Sequence, residues 1–159
     1  MVAMPYSATT IANEFLRLAQ RDGKRLTNMQ LQKLVYIAHG FYLAMAGKPL
    51  LSDAVKAWQW GPVIVTLYEA LKKYGAGVVI NQIPAPDDNL DLGAKEIIEK
   101  VWKAYGRFEG FQLSAITHKK NSPWSTAWEE GPYGTIPNDL IREYYRNLLN
   151  ERRKTTQPT

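Results

Sequence analysis

The stretch from Thr27 to Pro49 constrains the fold more than any other part of the chain. Thr27-Asn28-Met29-Gln30 fits a capping box, in which the threonine hydroxyl and the glutamine side chain each satisfy a backbone N–H at the start of a helix. Gly47-Lys48-Pro49 is the opposite signal, a left-handed exit followed by a residue that cannot continue the helix. Between them Leu31, Leu34, Val35, Ala38, Tyr42 and Met45 recur at helical spacing, while Tyr36, Ile37, Phe41 and Leu43 lie off that stripe. A helix apolar around most of its circumference has little face to give to water, so other elements must surround it. The expected architecture is mainly α: a compact single-domain helical bundle around a central helix at about 28–46, with a small β-strand pair.

The flanking segments supply the surrounding elements. Ile11, Phe15 and Leu18 follow a cap at Ser7 and predict a helix to about Arg21. Ala54 to Trp60 is short, partly aromatic and bounded by turn residues, which reads as an extended segment. Pro62 has the backbone angle of a first helical position, so a third helix is expected from Gly61-Pro62 to Gly75, and Val78-Val79-Ile80 is expected to pair with the extended segment. Pro84 to Asp91 reads as a loop. Ala94 to Tyr105, Leu113 to His118, a start capped by Ser122-Pro123, and a long segment after Ile136-Pro137-Asn138 predict the remaining helices. Leu140, Ile141, Tyr144, Tyr145, Leu148 and Leu149 form the apolar face of the last one. Residues 1–150 are read as the single domain and 151–159 as a basic polar tail.

Composition closes several chemistries. With 45% apolar and 22% charged residues over 159 positions, the chain can offset the entropy of folding around one core. The absence of cysteine removes disulfides, thiolate metal sites and thiol nucleophiles together. Met1 to Tyr6 lacks a basic region followed by an apolar one, and nothing approaches the roughly 20 apolar residues of a membrane span, so a cytoplasmic chain without a membrane partner is expected. The net charge of +5 is concentrated late, where Arg142, Arg146, Arg152, Arg153 and Lys154 outweigh Glu143 and Glu151. The helix from Asn28 also lacks the polar, basic face of a recognition helix, which argues against nucleic acid as the partner.

No catalytic residue, metal site or cofactor is expected. His39 and His118 lie in different elements, and His39 reads as a hydrogen-bonded, partly buried ring. Asp87, Asn89 and Asp91 begin a calcium-loop pattern, but Leu92 stands where glycine is needed and Ile98 where the bidentate carboxylate is needed. Gly47-Lys48 ends like a phosphate loop, yet Pro49 replaces the hydroxyl residue. Glu129 and Glu130 are adjacent on a helix and diverge, which reads as solvated surface and not as a catalytic pair.

The run Leu26-Thr27-Asn28-Met29-Gln30-Leu31-Gln32-Lys33-Leu34-Val35-Tyr36 is followed in order by Gly47-Lys48-Pro49-Leu50, Ala57-Trp58-Gln59-Trp60-Gly61-Pro62-Val63 and Ser122-Pro123-Trp124. In content and spacing these segments resemble the Panacea domain of SocA-like antitoxins, a family that includes phage-associated proteins, and the likeness extends from about Tyr6 to Tyr145. The resemblance implies a non-enzymatic antitoxin of a toxin–antitoxin system. It would neutralise a cognate toxin, encoded beside it, by direct protein–protein binding, and some members act as adaptors that deliver the toxin to a cellular protease. The alternative is a phage or prophage regulator that binds a different host or phage protein. Some relatives carry a further DNA-binding domain for which this chain has no room, so operator binding is not expected of it.

Carried onto this chain, the pattern offers Gln32, Lys33, Tyr36, Trp58, Trp60, Gly61, Pro62 and Trp124 as partner-binding candidates. Each has a structural reading beside it. Leu31, Leu34 and Val35 need only burial. Lys33 can snorkel, pair with a carboxylate, or present its charge at a groove. The tryptophans either anchor an interface or pack around the Gly61-Pro62 turn.

Overall fold

Among residues 5–86 and 89–156, which the computed structural model describes, the helix from Asn28 to Ala46 (α2) has the surroundings its composition demands. Every residue from Leu31 to Ala44 is buried. Five helices achieve this by packing against it: α1 (Ala8–Arg21), α3 (Val65–Leu71), α4 (Leu92–Tyr105), α5 (Gly110–Thr117) and α7 (Asn138–Thr156). The remaining helix, α6 (Pro123–Glu130), rests on strand β1 (Lys56–Trp58) and on α7. The mainly helical bundle around a central helix is therefore observed, with one two-stranded antiparallel sheet.

The ends of α2 follow from its sequence. Thr27 Oγ1 accepts the Gln30 N–H at 3.3 Å, and Gln30 Oε1 accepts the Thr27 N–H at 2.9 Å. At the other end Gly47 adopts φ 72° and returns its N–H to Leu43 O, and Arg146 of α7 donates to Ala44 O at 3.3 Å. Alanine at Thr27 removes one half of the capping box, and a loss of about 1 kcal/mol is expected. Urea denaturation checks it; an unchanged midpoint would mean that packing alone sets where α2 begins.

Other caps also agree with the sequence. Ser7 accepts from Thr10 N and Ser122 from Ser125 N, with Pro123 in the first turn of α6. Asp91, which began the calcium-like pattern, caps α4 by accepting the Ala94 N–H at 2.8 Å; Asp87 lies outside the described residues. His39 is more enclosed than expected. Its Nδ1 accepts the Leu51 N–H at 3.3 Å and its Nε2 lies 3.0 Å from Asn138 Oδ1, so a neutral ring with its proton on Nε2 joins α2 to the start of α7. Burial lowers its pKa, consistent with that neutral form. Residues 151–156 continue α7 and carry Arg152 onto the Tyr105 hydroxyl at 2.7 Å.

Two expectations are corrected. Pro62 does not begin a helix: it lies in strand β2 (Gly61–Val63), opposite Ala57 of β1, and α3 begins only at Val65. A strand tolerates proline at this place because Ala57 directs both backbone groups away from it, its N–H to Gly134 O and its C=O to the Tyr133 N–H. Val78 does not pair with the extended segment either. It bridges Thr27, and the Val79 N–H bonds Leu26 O at 2.8 Å, so this segment closes over the entrance to α2.

Candidate functional site

The β1–β2 hairpin is held from three sides by side chains of three helices. Trp124 Nε1 of α6 donates to Trp58 O at 2.6 Å, Ser114 Oγ of α5 donates to Trp60 O at 2.5 Å, and Lys33 Nζ of α2 donates to Pro62 O at 2.8 Å. Gln32 completes the set by accepting the Ile64 N–H on Oε1 at 2.9 Å, while its Nε2 donates to Asn28 Oδ1 at 3.3 Å. Alternate carbonyls of the hairpin, at positions 58, 60 and 62, thus each meet a donor from a different helix. Such bonding fixes a two-stranded ribbon that would be marginal alone. Gly61 takes φ 122°, a backbone conformation that suits glycine, and carries the chain through the turn.

A groove of about 550 Å3 opens between this hairpin and the first turns of α2. Met29, Trp58, Trp60, Val63, Tyr68, Ala76 and Tyr133 give it apolar walls, and Asn28, Gln32 and Lys33 contribute polar groups at its base. Its rim is unusually apolar for a surface: Trp60 is 63% exposed, Tyr133 57% and Met29 42%. Tyr133 is also held at φ 68°, an uncommon conformation for a bulky residue, by its N–H bond to Ala57 O at 2.8 Å. Behind the rim, the Trp128 ring stacks on Trp124 at 5.4 Å and meets Tyr133 edge-on at 5.4 Å. The Trp58 ring meets Tyr68 edge-on at 5.2 Å.

Lys33 neither snorkels to the surface nor pairs with a carboxylate. It is 2% exposed, and no carboxylate lines the groove or pairs with it among the described residues. Pro62 O occupies one of its three N–H donors. Desolvation by burial lowers its pKa to about 7. Gly61 lets the amine pack closely against the hairpin backbone, since a Cβ there would stand 3.1 Å from Nζ.

The candidate residues therefore separate. Gln32, Lys33, Trp58 and Trp60 line one groove. Gly61 and Pro62 are buried determinants of the hairpin that forms its wall. Trp124 acts from behind, through the Trp58 carbonyl and an edge-on contact with His118 at 5.3 Å. Tyr36 does not join them: it is 1% exposed, its ring meets Tyr145 edge-on at 6.2 Å, and its hydroxyl has no partner among the described residues. Sequence reasoning missed Met29, Tyr68, Ser114 and Tyr133. Only Tyr133 carried a local signal, a large aromatic inside the turn Gly131-Pro132-Tyr133-Gly134.

Among the described residues no group of His, Asp and Glu side chains is arranged to hold a metal ion, and no helix is long and apolar enough to cross a membrane. No solved structure matches the chain. The family described as "Antitoxin SocA-like, Panacea domain" matches residues 31–125, from the first buried turn of α2 into α6. Antitoxin SocA of Caulobacter vibrioides (strain NA1000 / CB15N) is 33% identical over 129 residues, which cover 74% of this chain and 68% of that protein. The three segments that meet at the hairpin lie within the family match, and the chain belongs to the SocA-like antitoxin family with the Panacea domain.

Proposed function

We propose that this chain is the antitoxin of a toxin–antitoxin pair and neutralises its toxin by binding it directly in the groove beside the hairpin. The observation that carries this reading is the apolar rim of Trp60, Tyr133 and Met29 around a groove walled by a hairpin that three helices bond. Large aromatic side chains have few rotatable bonds to lose when a partner covers them, and a backbone already held in place adds little further cost, which is why interface energy concentrates on such residues. The site works by holding and not by catalysis, since its walls are apolar and the amine at its base is tied to a carbonyl. The toxin is expected to be encoded beside this chain.

Expression of the neighbouring reading frame with and without this protein tests the reading, followed by co-purification. Rescued growth with a stable complex supports it; a harmless neighbour with no complex would favour a regulator of another host or phage protein. Within a complex, Trp60→Ala is expected to weaken toxin binding by about 30-fold or more, the effect of losing a central aromatic anchor. Calorimetry on the purified pair checks this, and an unchanged affinity would move the interface away from the groove. Toxin abundance in rescued cells separates two modes. A constant level indicates occlusion, and a fall that depends on a cellular protease indicates delivery.

A further inference from the structure

The base of the groove bears on what kind of segment it takes. Its walls are aromatic and aliphatic, its lining holds one cationic side chain and no acidic one, and that cation is buried with a single carbonyl partner among the described residues. An ammonium so placed has lost most of its hydration without gaining a counter-charge, an arrangement that favours any ligand able to supply one. We infer that the groove recognises a partner segment in which one acidic side chain is flanked by apolar residues, the carboxylate meeting Lys33 Nζ while the flanking side chains cover Trp60, Met29 and Tyr133.

Other anionic ligands fit the observations less well. A nucleic-acid or lipid phosphate surface is held by several cations acting together, and the groove lining provides one. A chain-terminal carboxylate is commonly caught by a nest of free backbone N–H groups. Here the Ile64 N–H already goes to Gln32, and Pro62 has none to give. The lowered pKa of Lys33 is consistent with the same picture, since a carboxylate brought beside it would favour the charged amine. For the identity of the partner this inference rests on the antitoxin reading; the groove chemistry is tested without the toxin.

The probes are two acetylated, amidated peptides, one with a single glutamate flanked by leucines and one with glutamine in its place. Each is titrated into the whole chain, with signals from the lysine ammonium groups and the tryptophan indoles followed by NMR. The glutamate peptide is expected to bind at least about tenfold more tightly than its counterpart, to shift the Trp60 indole and to raise the Lys33 pKa. In Lys33→Met the two peptides should bind alike. Equal binding of both peptides to the wild type, binding of neither, or a preference that survives in Lys33→Met would each overturn the inference. Growth rescue is scored separately, so a glutamate preference with no toxin neutralised would sink the antitoxin reading and leave the groove chemistry standing.

Discussion

Alanine at Gly40 is expected to destabilise the fold by about 3 kcal/mol, although helix propensity alone argues for a gain. Gly40 lies in the interior of α2, where alanine is ordinarily preferred over glycine by about 1 kcal/mol. The position is closed by α7: a Cβ on Gly40 would stand 2.3 Å from both Cδ2 and Cε2 of Tyr145. No real contact is that short, so the ring or the helix must move. The ring has little room, being 3% exposed and packed edge-on against Phe41 at 4.8 Å, Tyr144 at 5.2 Å and Tyr36 at 6.2 Å. Moving α7 would disturb the His39–Asn138 contact and the Arg146 bond to Ala44 O. Overpacking of this kind outweighs the propensity gain. The measurement is the urea midpoint of Gly40→Ala, alone and with Tyr145→Leu. The double variant should be more stable than the sum of the two single effects by more than about 1 kcal/mol, because removing the ring vacates the space the methyl needs. A neutral or stabilised Gly40→Ala would show that α2 and α7 do not cross this closely.

The same crossing shows what could be read from the sequence and what could not. The boundaries of α2 were legible because their causes are local: a hydroxyl and an amide three residues apart, then glycine before proline. Its central place was legible because too much of its circumference is apolar. Pro62 misled because proline fixes one backbone angle that serves both the first turn of a helix and a strand position needing no N–H. The choice between them was made by Ala57, whose bonds run to Tyr133 and Gly134 more than seventy residues later. Val78 misled for a related reason: its partner, Thr27, is distant in the chain and carries the local signal of a helix cap, not of a strand. At the groove, the motif residues were legible as a set, but their division into lining and support was not. Trp58 and Trp60 differ by two positions, yet one ring leans on Tyr68 while the other faces solvent. Tyr133 reaches the rim through a turn that no periodicity describes.

Lys33→Met is expected to stabilise the chain, and to do so in a way that depends on pH. Lys33 has a pKa of about 7 when folded, lowered from 10.5 by burial. Below pH 7 both states carry the proton, and folding bears the full cost of enclosing the ammonium. Between pH 7 and pH 10.5 the unfolded chain still holds its proton while the folded chain has released it. Stability therefore rises with pH across this window. Each pKa unit is worth about 1.4 kcal/mol, so the rise from pH 7 to pH 10 amounts to about 3 kcal/mol. Methionine keeps most of the length and apolar volume of the lysine and carries no charge. It forfeits the bond to Pro62 O, a loss of about 1 to 3 kcal/mol, but at pH 7 it also removes a desolvation cost of about 4 kcal/mol. The variant should thus be the more stable protein at pH 6 to 7, with the advantage shrinking or reversing by pH 10. Tyr36 and Tyr145, whose hydroxyls are pushed upward by burial, titrate in both proteins and cancel from the comparison. Urea titrations of the two proteins at several pH values measure the difference directly. A constant difference would mean that the Lys33 amine keeps its ordinary affinity for protons, through water or a counter-charge at the base of the groove. A difference that closes with rising pH would leave the amine buried and uncompensated, a site where loss of binding in Lys33→Met cannot be blamed on a weakened fold.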